Sequence, residues 1–127
     1  MDEQDIKKTQ RIINRNRPIN SKIINIQGRS IAVIWTKIIA RLIALGYEKI
    51  IFADMDDYFS TNRIGELTKA LDNNPLVFHD VNLFYSRRKK IVHNYFKGRI
   101  SQKIDWRDIL DKNCIGMGNT AIRKSVL

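Results

Sequence analysis

Three carboxylates fall within four residues, Asp54, Asp56 and Asp57, directly after the apolar run Ile50-Ile51-Phe52-Ala53. In an extended segment Asp54 and Asp56 project to the same side, about 6–7 Å apart, with Met55 turned the other way. Anions held so close repel one another unless a cation stands between them. An all-oxygen donor set favours a hard ion, Mg²⁺ or Mn²⁺. A metal held by one or two carboxylates completes its shell with water and substrate phosphates. The segment therefore suggests a metal bridging the protein and a diphosphate. The competing reading is a solvated loop whose aspartates cap the next helix.

The surrounding elements decide where that segment sits. Residues 5–16 form a weakly amphipathic helix candidate that Pro18 ends. Lys22–Gln27 alternates loosely and reads as a short strand. Ser30 can cap a helix from Ile31 to about Leu45, closed by Gly46. That helix is apolar almost all round, so the sequence predicts that it is well buried. Lys49–Ala53 reads as a central strand covered on both faces. Thr61 or Asn62 can cap a helix to about Asn73, and Asn74-Pro75 is a turn. Strands follow at Leu76–Asp80, Leu83–Tyr85 and Lys90–Phe96, then a short helix Trp106–Lys112 capped by Asp105, and a strand at Thr120–Arg123. Strands alternating with helices predict an α/β fold: a mostly parallel central sheet with flanking helices and a β-rich C-terminal part. In such sheets ligands bind outside the carboxyl ends of the strands, where Asp54 falls.

The chain has 127 residues, 43% hydrophobic and 28% charged, enough for one domain with a modest core and too apolar for disorder. No apolar run is long enough to span a membrane. The first residues are polar and acidic, unlike a secretory signal. The lone Cys114 cannot form an internal disulfide, so the cytoplasm is the expected compartment, with the inner face of its membrane raised by the basic residues. A net charge of +10, from 23 Lys and Arg against 13 Asp and Glu, raises nucleic acid, anionic lipid and phosphate-bearing ligands as partners, against a bland reading of solvated lysines.

Gly46–Ile64, reading GYEKIIFADMDDYFSTNRI, closely resembles family 2-like glycosyltransferases, whose pattern is an apolar strand, D-x-D-D, an aromatic, a polar turn and R-[IL]. Leu76–Val81 is similar to their apolar strand ending in Asp. Asn113–Arg123 is similar to their N-x-[IF]-G-x-[GS]-[NS] strand. The pieces span residues 28–127 in the family's order. Two other families share the acidic segment less well. Haloacid-dehalogenase-like phosphatases place Thr and Leu where Asp57 is followed by Tyr58. Translesion polymerases carry D-M-D-x-F-[FY], but at the extreme start of the chain and with a second motif that has no counterpart here.

The resemblance implies a GT-A, Rossmann-like domain covering residues 1–127 as a single, incomplete unit. It implies transfer of a sugar from a nucleotide-sugar donor to a saccharide or lipid-linked acceptor, with Mn²⁺ or Mg²⁺ as cofactor. Asp54, Asp56, Asp57 and Arg63 would bind the donor, Asp56 and Asp57 would hold the metal, and Asp57 would touch it directly. Gly116, Met117, Gly118 and Asn119 would form the acceptor-side turn. The family's base-gripping first strands have no match in Met1–Asn20, and Trp35 stands where an Arg often contacts phosphate. None of Asp80, Asp105 and Asp108 matches the family's general base, so the fragment is expected to be inactive alone. The alternatives are a basic nucleic-acid-binding or nucleotidyl-transfer domain, with nucleic acid the less favoured partner, and an inactive remnant.

His79 and His93 read as ordinary sheet or surface histidines, and Cys114 as a buried, inert thiol. Trp106 is the better sugar-stacking candidate of the two tryptophans. The basic turn Arg87-Arg88-Lys89-Lys90 reads as solvated, with contact to anionic lipid or a phosphate-bearing acceptor as its functional reading and peripheral membrane association as the consequence.

Overall fold

The computed structural model describes residues 3–15, 23–54, 56–105, 107–108 and 114–126. Its contacts divide the chain into two units, residues 1–41 and 42–127.

In the first unit, α1 (Glu3–Arg15) is followed, after an irregular stretch, by α2 (Ile31–Ala44), whose last residues belong to the second unit. Ser30 caps α2 as the sequence predicts: its Oγ accepts from Val33 N–H at 3.3 Å and its carbonyl from Ile34 N–H at 3.1 Å. Two expectations fail here. Residues 23–27 are not a strand, because the local alternation finds no partner backbone to pair with. And α2 has no buried residue, with Ile31 73% exposed. Apolar periodicity identifies the helix, and Ile34, Trp35, Ile38, Ile39, Leu42 and Ile43 are half-buried, but the expected full burial is not reached.

The second unit starts by closing α2. Tyr47 N–H donates to Leu42 O and Gly46 N–H to Ile43 O, the paired bonds of a Schellman ending, with Gly46 at φ +85°. Then come β1 (Lys49–Ile51), α3 (Arg63–Asn73), β2 (Leu76–Phe78), a hairpin of β3 (Leu83–Tyr85) and β4 (Lys90–Val92), and β5 (Thr120–Arg123).

The sheet order is β1-β5-β2, and both pairings are antiparallel. The expected mostly parallel sheet, with β1 at its centre, is therefore overturned. The reason is topological. β1 and β2 do point the same way and α3 connects them, but β5 enters between them in the opposite direction. Among the described residues no parallel pair forms, and β1 lies at an edge. The register aligns Ile51, Ala121 and Val77 in one row across the three strands. Leu67 and Leu71 of α3 pack on that row, and Ala121, fully buried, lets the helix approach closely. Lys49 Nζ adds a hydrogen bond to Thr68 O at 3.0 Å and an ion pair with Asp72, joining β1 to α3.

The hairpin forms its own two-stranded sheet. Its base is fastened by Asp80, whose Oδ1 accepts from Val81 N–H at 2.8 Å and Phe96 N–H at 2.7 Å, and by Asn82 Oδ1, which accepts from Asn94 N–H at 2.9 Å. Its tip is a 3-10 turn, Ser86–Arg88, followed by Lys89 in the left-handed region at φ +47°. Asp105 caps a turn by accepting from Arg107 N–H at 2.7 Å. The remainder of the expected helix Trp106–Lys112 lies outside the described residues apart from Arg107 and Asp108. Among the described residues, no helix is long and apolar enough to cross a membrane.

Candidate functional site

One end of the three-stranded sheet collects the polar residues that the sequence singles out. Because β1 and β2 point the same way and β5 opposes them, three segments converge there: the exits of β1 and β2 and the turn that enters β5. The ladder continues one residue past each exit, with Phe52 N–H donating to Thr120 O at 3.1 Å and His79 N–H to Asn119 O at 3.0 Å.

The entry turn, Gly116–Asn119, is closed by its own side chains. Asn119 Oδ1 accepts from Gly116 N–H at 2.7 Å, and Asn119 Nδ2 donates to His79 O and Cys114 O, both at 3.0 Å. Thr120 Oγ1 donates to Gly116 O at 2.7 Å. Asn119 and Thr120 are each 4% exposed. The resemblance assigns Asn119 to acceptor binding. Its amide is instead fully engaged inside the turn, and what it holds is the backbone of Gly116, Met117 and Gly118.

Arg63 braces all three segments. It stands at the first position of α3 and is 8% exposed. Its Nη2 donates to Phe52 O at 2.7 Å and to Gly118 O at 2.9 Å, and its Nε to His79 Nε2 at 2.8 Å. Arginine only donates, so His79 Nε2 is the acceptor and its Nδ1 carries the hydrogen that reaches Asp80 O at 2.7 Å. The guanidinium also lies 4.3 Å from the Phe59 ring centroid, a cation–π contact. Burial holds its pKa below the usual arginine range, and the Asp57 carboxylate pulls it part of the way back. Arg63 thus stands beside the acidic segment as an internal brace. His79, read from sequence as an ordinary histidine, is part of this brace. Nothing in the sequence marks it, since its partner is remote along the chain.

The acidic segment leaves β1 at Ala53 and turns, with Asp57 N–H donating to Asp54 O at 3.3 Å. All three aspartates are exposed. Gly118 shows which of them face the sheet end. A Cβ built there would overlap the Asp57 carboxylate outright and stand 3.2 Å from Asp54 Oδ2. The two carboxylates that meet at one point are therefore Asp54 and Asp57, where the resemblance pairs Asp56 with Asp57. The missing side chain of Gly118 leaves the space that these carboxylates occupy.

These residues fit a divalent cation in a restricted sense. Among the described residues, no cluster of three or more His, Cys, Asp or Glu could hold a metal. Two carboxylates at one open point are enough for an ion whose remaining ligands come from water and a diphosphate. They are not enough for a closed protein cage. Trp106 and Asn113 lie outside the described residues, and Trp35 belongs to the other unit. Comparison with protein families, known proteins and solved structures gives no match.

Proposed function

We propose that the sheet end formed by Asp54, Asp57, Arg63 and the Gly116–Asn119 turn binds the diphosphate of a nucleotide-sugar together with Mn²⁺ or Mg²⁺, as the donor site of a glycosyltransferase-like unit. The observation that carries this reading is the meeting of the Asp54 and Asp57 carboxylates over the side-chain-free Gly118. A bound divalent ion would offset the charge that develops on a nucleoside diphosphate leaving group. The chain's own contribution is positional. Arg63 fixes the β1 exit against the entry turn, so the carboxylates stand over a braced backbone. The turn backbone at Gly116–Gly118 offers the acceptor side, a saccharide or lipid-linked hydroxyl. No carboxylate is assigned as general base: Asp80 Oδ1 already accepts two backbone N–H groups, and Asp105 caps its own turn. Binding of donor is accordingly the property to measure, with turnover not expected from this chain alone.

Calorimetric titration of the chain with a panel of nucleoside diphosphates, with and without Mn²⁺, tests the proposal. The expected result is binding that requires Mn²⁺, is abolished by Asp57→Ala, and weakens about tenfold in Gly118→Ala, where the added methyl must push the Asp57 carboxylate aside. Binding indifferent to the metal or to Asp57→Ala, or no binding by the folded chain, overturns it.

A further inference from the structure

The β3–β4 hairpin takes no part in the site above, and its surface has a chemistry of its own. Phe84 and Ile91 are direct cross-strand partners, so their side chains share one face. That face is open: Phe84 is 62% and Ile91 50% exposed. On the opposite face Leu83 and Val92, at the base, are half-buried, while Tyr85 and Lys90, next to the tip, are exposed, so the hairpin has a covered side at its base alone. At the tip, beside the apolar pair, Arg87, Arg88, Lys89 and Lys90 are all exposed. The chain has no acidic residue between Asp80 and Asp105, while Lys97 and Arg99 extend the positive charge past the hairpin.

An exposed apolar pair next to a dense cationic tip is complementary to one kind of surface, an apolar layer capped by negative charge. We infer that the hairpin tip docks on an anionic lipid bilayer, with Phe84 and Ile91 entering the boundary between headgroups and acyl chains and Arg87–Lys90 lying among the phosphates. The apolar pair distinguishes this occupant from a nucleic acid. Single-stranded nucleic acid is held by aromatic platforms on which successive bases stack. Here the two aromatic residues of β3, Phe84 and Tyr85, point to opposite faces, and the neighbour of Phe84 is an aliphatic Ile. Shallow insertion of one aromatic and one aliphatic side chain, with cations at headgroup level, is how peripheral segments bind a bilayer interface. The inference is independent of the donor-site reading, since none of its residues belongs to that site.

Co-sedimentation of the full chain with vesicles of phosphatidylglycerol and phosphatidylcholine tests it, against vesicles of phosphatidylcholine alone and against a mixed-sequence single-stranded RNA. Binding to the anionic vesicles is expected, falling with salt. Replacing Arg87, Arg88, Lys89 and Lys90 together by Ser should weaken it on the order of a hundredfold, and the double substitution Phe84→Ser with Ile91→Ser about tenfold. Phe84→Trp supplies an independent readout, because its emission should be quenched by acyl-chain-brominated lipid beyond the quenching seen in the parent chain. The inference is overturned by equal binding to neutral vesicles, by no effect of the apolar double substitution in a chain that remains folded, by no added quenching at position 84, or by tighter binding to the RNA than to the vesicles.

Discussion

The two sheets of the second unit are made of similarly short strands, of three or four residues, and they differ in what covers them. β1, β2, β3 and β4 are all three residues long. In the β1-β5-β2 sheet, α3 seals the row Ile51–Ala121–Val77, and Leu71 and Ala121 are fully buried. The β3–β4 sheet leaves Phe84 and Ile91 in solvent. Cross-strand pairs alone stabilise such ribbons weakly, and a covering helix supplies what they lack. The covered sheet can therefore hold chemical groups at fixed distances, as Arg63 does. The uncovered one presents its side chains to whatever approaches.

Matched substitutions on the two sides would break or sharpen that contrast. Leu71→Ala has the largest expected effect, about 3 kcal/mol of stability lost in urea unfolding, since a fully buried side chain leaves a cavity between α3 and the sheet. A cost under about 1 kcal/mol would mean that α3 does not seal the sheet. Arg63→Lys comes next, at about 2 kcal/mol, because a lysine cannot serve Phe52 O, Gly118 O and His79 Nε2 together. The pH dependence has a definite sign. Burial lowers the folded-state pKa of Arg63, so the unfolded chain holds the extra proton only in the strongly alkaline window between the two values. Stability gains from Arg63 deprotonation as pH rises through that window, and Arg63 contributes no slope near neutrality. Phe84→Ser is the smallest, within about 0.5 kcal/mol of the parent, as expected of a side chain that the fold does not cover. A loss comparable to that of Leu71→Ala would show that the hairpin face is internal after all.

The same contrast explains what could be read from the residues. Local chemistry was legible: Ser30 as a cap, Gly46 as a helix end, Asn74-Pro75 as a turn, and Thr120–Arg123 as a strand. Coverage was not. α2 is the more apolar helix and has no buried residue, whereas the more polar α3 buries Arg63, Leu67 and Leu71. Periodicity reports which face could be hidden and is silent on what hides it. Strand direction was equally out of reach, because nothing within Thr120–Arg123 says that it will run between β1 and β2 against both. The candidate site divides in the same way. The acidic segment and the glycine turn stand out from their composition. The pairing of Asp54 with Asp57 over Gly118 depends on a contact between distant parts of the chain, and Arg63 reaches Gly118 across 55 positions.

The position of β5 also governs how the unit is born. As the chain emerges during synthesis, β1, α3 and β2 appear with a gap between the strands, and His79 must wait 40 residues for Asn119. Until then neither β1 nor β2 has a strand to pair with, and the loop-closure entropy of bringing them to either side of β5 has still to be overcome. The strand made after β1 and β2 is thus the one that completes the sheet, its helix-covered row and the meeting of carboxylates at its end.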